Sequence, residues 1–203
     1  MIDAIGPAAA LLLAANVGLS LLALYAMPQL VESLAFRPCD VARGRRLHTV
    51  VSAGFVHADL PHLLFNMVTF WFFGIPLERL IGTGWFVVLY AFALLVSQAG
   101  TWLKQRNNPD YATLGASGAI SGVLFASIVY LPTQSLILLP IPIPIPAPLY
   151  GIGYLAYSWW SARQDRGRIN HDAHFGGAIA GLLFVAVVTP GAYPRALAQL
   201  GIG

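Results

Sequence analysis

Few residues in this sequence have chemistry to offer, and they fall at the edges of apolar runs. Residues 115–122 read GASGAISG, with Ser117 and Ser121 four apart and glycines at 115, 118 and 122. Ser117 lies near the start of a predicted helix. There the first-turn N–H groups lack an intrahelical partner and the peptide dipoles present their positive end. A tetrahedral oxyanion requires such donors, which makes Ser117 a candidate nucleophile. Gly115 and Gly118 allow a sharp entry into the helix and the close approach of another backbone or a substrate. The G-x-S-x-G pattern is weak evidence by itself. The same octapeptide also fits a packing seam, because Gly118 and Gly122 form a G-x-x-x-G pair.

A serine nucleophile needs a base, and His174 is the candidate. It opens the apolar run AHFGGAIAG, and a histidine in a membrane helix is a functional hypothesis with a near-neutral pKa suited to proton transfer. Gly177 and Gly181 make a second G-x-x-x-G pair, so this helix is expected to press against residues 118–122. With both helices running the same way, that contact would bring Ser117 and His174 within hydrogen-bond reach. In FVHADLPHLLFNM, His62 and Asn66 are four apart and share a helix face. Both can donate to an oxyanion; the alternative is an interhelical hydrogen bond worth ~1 kcal/mol. His57, just ahead of that helix, reads as a loop anchor. No metal site is expected. His171, Asp172 and His174 lie close in sequence, but there is no H-E-x-x-H and carboxylates are scarce.

The elements that must hold these residues are apolar helices. The chain has 203 residues, 58% hydrophobic and 9% charged, with mean hydropathy +0.72. A soluble domain carries about 25% charged residues, so this is a polytopic, all-α membrane protein by composition. One domain, 1–203, accommodates six spans near 8–30, 60–82, 85–103, 113–131, 148–162 and 174–193. The amino-terminal run lacks the basic flank of a cleaved signal peptide and reads as the first span. Residues 31–59 form a long loop with apolar content, expected to lie partly in the membrane or against the bundle. The stretch LLPIPIPIPAP cannot form a regular helix and favours extended backbone. The lone Cys39 precludes an internal disulfide, and the net charge of +3 is scattered over short loops, which argues against a nucleic-acid partner. Nine of the 11 Lys and Arg residues lie in the first, third and fifth loops, which the positive-inside rule would place in the cytoplasm.

Taken together, these residues resemble the rhomboid family of intramembrane serine proteases over nearly the whole chain. HADLPHLLFNM is similar to the family's H-x-x-x-x-H-x-x-x-N element. PLERLIGTGWFVVLY, with Glu78 and Gly82, is similar to the junction into the third span. GASGAISG resembles the nucleophile motif, HDAHFGGAIAG the A-H-x-G-G element of the last span, and IPIPIPAPLYG the proline-rich link of bacterial members. The resemblance implies a six-transmembrane-helix bundle in a bacterial inner membrane, with the active site opening away from the cytoplasm, against the charge count. It implies Ser117 as nucleophile, His174 as general base and later acid, and His62 and Asn66 with the Ser117 N–H as oxyanion hole. Gly115 would line the substrate backbone. Transmembrane proteins would be the substrates, cut within or beside their membrane segments, and no cofactor is expected. The alternative is a catalytically inactive relative that binds and escorts membrane clients. Two departures stand out. Gly44-Arg45-Arg46-Leu47 replaces the Trp-Arg pair frequent in the family's first loop. Ser121 stands where some members place an aromatic ring against the catalytic histidine.

Overall fold

A computed structural model describes residues 5–137, 143–164 and 170–202, with the backbone alone at 137, 157–159 and 161–164. The chain is helical. Helix α1 (Pro7–Leu21) runs on through a π-helical turn at Leu22–Ala26. Short helices α2 (Gln29–Leu34), α3 (Pro38–Ala42) and α4 (Thr49–Ser52) and a 3-10 turn at Ala53–Phe55 fill the long loop. Then come α5 (Leu60–Ile81), α6 (Thr83–Gln105), α7 (Ser117–Tyr130), α8 (Ala147–Gln164), α9 (His171–Val188) and α10 (Ala192–Gln199). Among the described residues, four helices are long and apolar enough to cross a membrane: Pro7–Ala26, Leu60–Ile81, Thr83–Gln105 and His171–Val188. Their outer faces stay apolar: Leu11, Phe65, Phe72 and Val187 are each at least 66% exposed, as expected where lipid is the solvent.

Several boundaries differ from the sequence expectation. The fourth apolar run is not helical from residue 113. It becomes helical at Ser117 and continues for 14 residues, ~21 Å at 1.5 Å per residue, short of the ~30 Å hydrocarbon core. The residues ahead of it are extended, and Thr113 makes an antiparallel bridge to Phe36 of the long loop. The sixth run starts at His171 rather than 174 and ends at Val188; Thr189 and Pro190 then break it from α10. The proline-rich stretch forms an antiparallel pair, Ser135–Ile137 with Pro144–Pro146, and residues 138–142 of it lie outside the described residues. Proline is tolerated there because a two-stranded ribbon has a free edge for each residue that cannot donate. Arg166 and Arg168 of the last charged loop also lie outside the described residues.

Helix α7 is the hub, buried from Gly118 through Val129 and surrounded by α5, α6, α8 and α9. Glycine makes its closest contacts. A Cβ on Gly177 would collide with the backbone of Gly118, and one on Gly181 with the backbone of Gly122. The two G-x-x-x-G pairs therefore face each other, as their spacing predicts. On the α6 side, a Cβ on Gly118 or Gly122 would strike Ser97 or Ala93.

A second constraint ties α1 to α5. The carboxylate of Glu78, 2% exposed, accepts from the N–H groups of Ala8 (3.0 Å) and Ala9 (2.7 Å) and from Thr83 Oγ1 (2.8 Å). It thereby caps the otherwise open start of α1, where the helix dipole favours an anion.

The glycine seam predicts opposite outcomes at two sites. Gly177→Ala should lower the thermal unfolding midpoint in detergent by the equivalent of ~1–3 kcal/mol, because a Cβ there has no space. Gly84→Ala, also helical but with nothing within 4 Å of an added Cβ, should be neutral or stabilising by up to ~1 kcal/mol.

Candidate active site

The site is built where three segments meet: the start of α7, the start of α5 and the first turn of α9. Gly115 has φ +119°, a conformation that L side chains rarely adopt, and its N–H donates to the carbonyl of Ala53 (2.8 Å). That turn lets the extended approach from Thr113 pass into a helix whose first residue is Ser117. The N–H groups of that first turn have no carbonyl four residues back to bind.

His62 lies directly over this turn. A Cβ on Gly115 would be 2.6 Å from His62 Cε1 and 2.8 Å from Nε2, so only glycine fits beneath the ring. His62 is held on the first turn of α5, where Asp59 caps the helix by accepting from the His62 N–H (2.8 Å). Asn66, one turn further and 6% exposed, donates from Nδ2 to the His62 carbonyl (3.1 Å), which leaves one amide hydrogen of that nitrogen for another acceptor.

His174 lies one turn into α9. Its neighbour Ala173 presents its carbonyl to Gly118, the neighbour of Ser117: a Cβ on Gly118 would be 3.4 Å from that oxygen. The seam thus joins the two helices one residue away from each of the two candidate catalytic side chains. Two rings flank the His174 imidazole. Tyr154 of α8 stacks on it at 6.0 Å and 24°, and His171 meets it edge-on at 6.0 Å and 79°.

Two anchors stabilise the frame. His57, fully buried, behaves as the loop anchor its position suggested: Nδ1 is 2.9 Å from Ser20 Oγ, and Nε2 accepts from the Ala116 N–H at 3.5 Å. With Nε2 accepting, Nδ1 carries the proton and donates to Ser20, so His57 is neutral and links α1 to the residue before Ser117. Asn170 was missed by sequence reasoning. It caps α9 by accepting from the Ala173 N–H (3.0 Å) and donates to Thr101 Oγ1 (2.9 Å) and Thr113 Oγ1 (3.4 Å). An asparagine just ahead of an apolar run is an N-cap signal that could have found it. A polar recess of about 10 Å³, lined by Ser97, Gln98, Thr113, Gly115, Ser117 and Asn170, adjoins the candidate nucleophile, with room for about one water.

Arg46 fixes the long loop. It adopts φ +52° and donates from its guanidinium to the carbonyls of Glu32 and Ser33. One arginine side chain thus ties the loop at residue 46 to the end of α2.

Burial, and secondarily the neighbouring His62, push the His57 pKa down to about 3, against an opposing pull from Asp59. An unfolded histidine titrates near 6.5, so below that pH the unfolded chain binds the extra proton and stability falls as pH drops toward 3. The unfolding midpoint should decline from pH 7 to pH 4, and His57→Gln should flatten that decline; an unchanged slope would remove His57 as its source.

A family profile for the Rhomboid domain matches residues 44–191. The mitochondrial RHOMBOID-like protein 12 of Arabidopsis thaliana is 26% identical over 169 residues, 76% of this chain and 50% of that protein. The mitochondrial Rhomboid protein 1 of Saccharomyces cerevisiae is 30% identical over 145 residues, 67% of this chain and 40% of that protein. Rhomboid protease GlpG of Pectobacterium atrosepticum is 32% identical over 80 residues, 39% of this chain and 26% of that protein. The chain spans half or less of the length of these relatives. The profile covers well over half of the chain, and the chain belongs to the rhomboid family.

Proposed function

We propose that the chain is an intramembrane serine endopeptidase, a six-span bundle that cuts transmembrane proteins within or beside their membrane segments through a Ser117–His174 dyad. The observation that carries this reading is the glycine seam, which joins α7 and α9 at Gly118 and Ala173, beside both members of the pair. In this mechanism Ser117 Oγ attacks the scissile carbonyl and passes its proton to His174. The oxyanion is met by the Ser117 N–H with His62 and Asn66. His174 then protonates the leaving amine, and a water, deprotonated by His174, hydrolyses the acyl-enzyme and restores the serine. Gly115 lines the substrate backbone in this reading, with the His62 ring directly over it.

Helices α7 and α8 complete the six spans in this reading, and a helix as short as α7 suits a span that begins inside the bundle. The proposed setting is a bacterial inner membrane with the site opening away from the cytoplasm. Small residues before the scissile bond and helix-breaking residues in the substrate favour cleavage, since a helical backbone hides its carbonyls from Ser117.

A fluorophosphonate probe on the detergent-solubilised protein should label Ser117, as read by peptide mass spectrometry. Ser117→Ala and His174→Ala should each abolish cleavage of a generic rhomboid substrate while keeping the wild-type unfolding midpoint. No adduct on Ser117 and no cleavage by the folded wild type would favour the escort role instead. A topology reporter fused at residue 108 should read non-cytoplasmic; a cytoplasmic signal would invert the orientation.

A further inference from the structure

The seventh helix places a serine, Ser121, one turn beyond Ser117, where some relatives carry an aromatic ring. The structure nevertheless has a ring on His174, and it comes from a different helix. Tyr154 of α8 stacks on the imidazole with ring centroids 6.0 Å apart and planes 24° from parallel. Its hydroxyl lies 2.8 Å from Ser121 Oγ, a hydrogen bond between α8 and α7. The ring is confined further by Phe125, 5.7 Å away, and Tyr150, 6.0 Å away. Phe125 and Ser121 are one turn apart on α7, and Tyr150 and Tyr154 one turn apart on α8, so each helix offers two adjoining positions to the contact. Gly151 keeps the helices close: a Cβ there would be 3.0 Å from Ile128 and 3.2 Å from Phe125.

We infer that Tyr154 is a positioning residue for His174 and that Ser121 is its latch, the two together supplying from α8 the ring that α7 lacks. The inference rests on the proposed dyad. The physics is that of an imidazole whose two faces need restraint. An offset stacked ring restricts rotation of the histidine about its side-chain bonds, and His171 restricts it from the edge. A base that must take a proton from Ser117 in one step and return it in the next gains rate from a fixed orientation, since small misplacements are costly. Ser121 is the size that this arrangement needs. A larger side chain would occupy the volume that Tyr154 fills, and alanine would leave the phenol hydroxyl without its partner on α7. Ser121 therefore has a share in the chemistry, at one remove, besides its place beside the seam.

The test is a set of variants measured for kcat and KM on a generic rhomboid substrate, for fluorophosphonate labelling rate, and for unfolding midpoint. Tyr154→Leu should lower kcat and the labelling rate in parallel by about 10-fold or more, with KM within about 2-fold. Tyr154→Phe, which keeps the ring and loses the latch, should lose only about 2–3-fold, and Ser121→Ala should match it. The double variant Ser121→Tyr/Tyr154→Ala, which returns the ring from α7, should regain kcat to within about 3-fold of wild type. Wild-type kcat in Tyr154→Leu, or a loss confined to KM, overturns the proposal. If Tyr154→Leu lowers the unfolding midpoint, the double variant decides: recovered kcat supports the role, and kcat no better than Tyr154→Leu overturns it. Ser117→Ala and His174→Ala run alongside separate the two levels. Cleavage surviving in either defeats the dyad itself, whereas loss in both with a wild-type Tyr154→Leu defeats the role of Tyr154 alone.

Discussion

The arrangement depends on how closely two helices can approach. Helices α7 and α9 meet with Gly177 against the backbone of Gly118 and Gly181 against that of Gly122, at separations that leave no room for a methyl group. In a bilayer, lipid tails are as apolar as the helices, so association has no hydrophobic driving force and relies on packing and interhelical polar contacts. Removing side chains from one stripe of each helix maximises that packing. It also fixes the axial register of α7 against α9, and register decides which side chains lie opposite each other one residue away. Gly118 and Ala173, the chain neighbours of Ser117 and His174, meet at this contact.

The remaining polar residues serve that central pair of helices. Glu78 closes the exposed start of α1, His57 joins α1 to the residue before Ser117, and Asn170 ties the start of α9 to α6 and to the strand leading into α7. Each is buried or partly buried, and each has its hydrogen-bonding capacity met by backbone or hydroxyl groups from another element. In an apolar setting that matters twice over: an unmet polar group is expensive, and a met one specifies a single arrangement. Around Ser117 the same economy yields a turn that only glycine can make at residue 115, a histidine stacked above it and a small polar recess beside it.

Much of this was legible in the sequence because it rests on periodicity and on residue size. The all-helical membrane class followed from composition, and the facing glycine pairs from their four-residue spacing. The reading of His57 as a loop anchor also came through. Less legible were the ends of helices. The fourth run is apolar from residue 113, yet Thr113 pairs with Phe36 and helix begins only at Ser117, because a tertiary strand contact outcompeted local hydrophobicity. The α9 start moved to His171 because Asn170 caps it there, a signal present in the sequence and overlooked.

What the sequence determined by itself is therefore the inventory and the reach: which residues can react, which helices can touch, and along which stripe, since these depend on spacing along one chain. What only the tertiary structure decided is which neighbour completes each group. Ser121 read from the sequence as part of the packing seam, and the fold bonds it to Tyr154, 33 residues away on another helix, whose ring stacks on His174. No local pattern links those two positions, because the bond between them exists only once α7 and α8 have packed at Gly151.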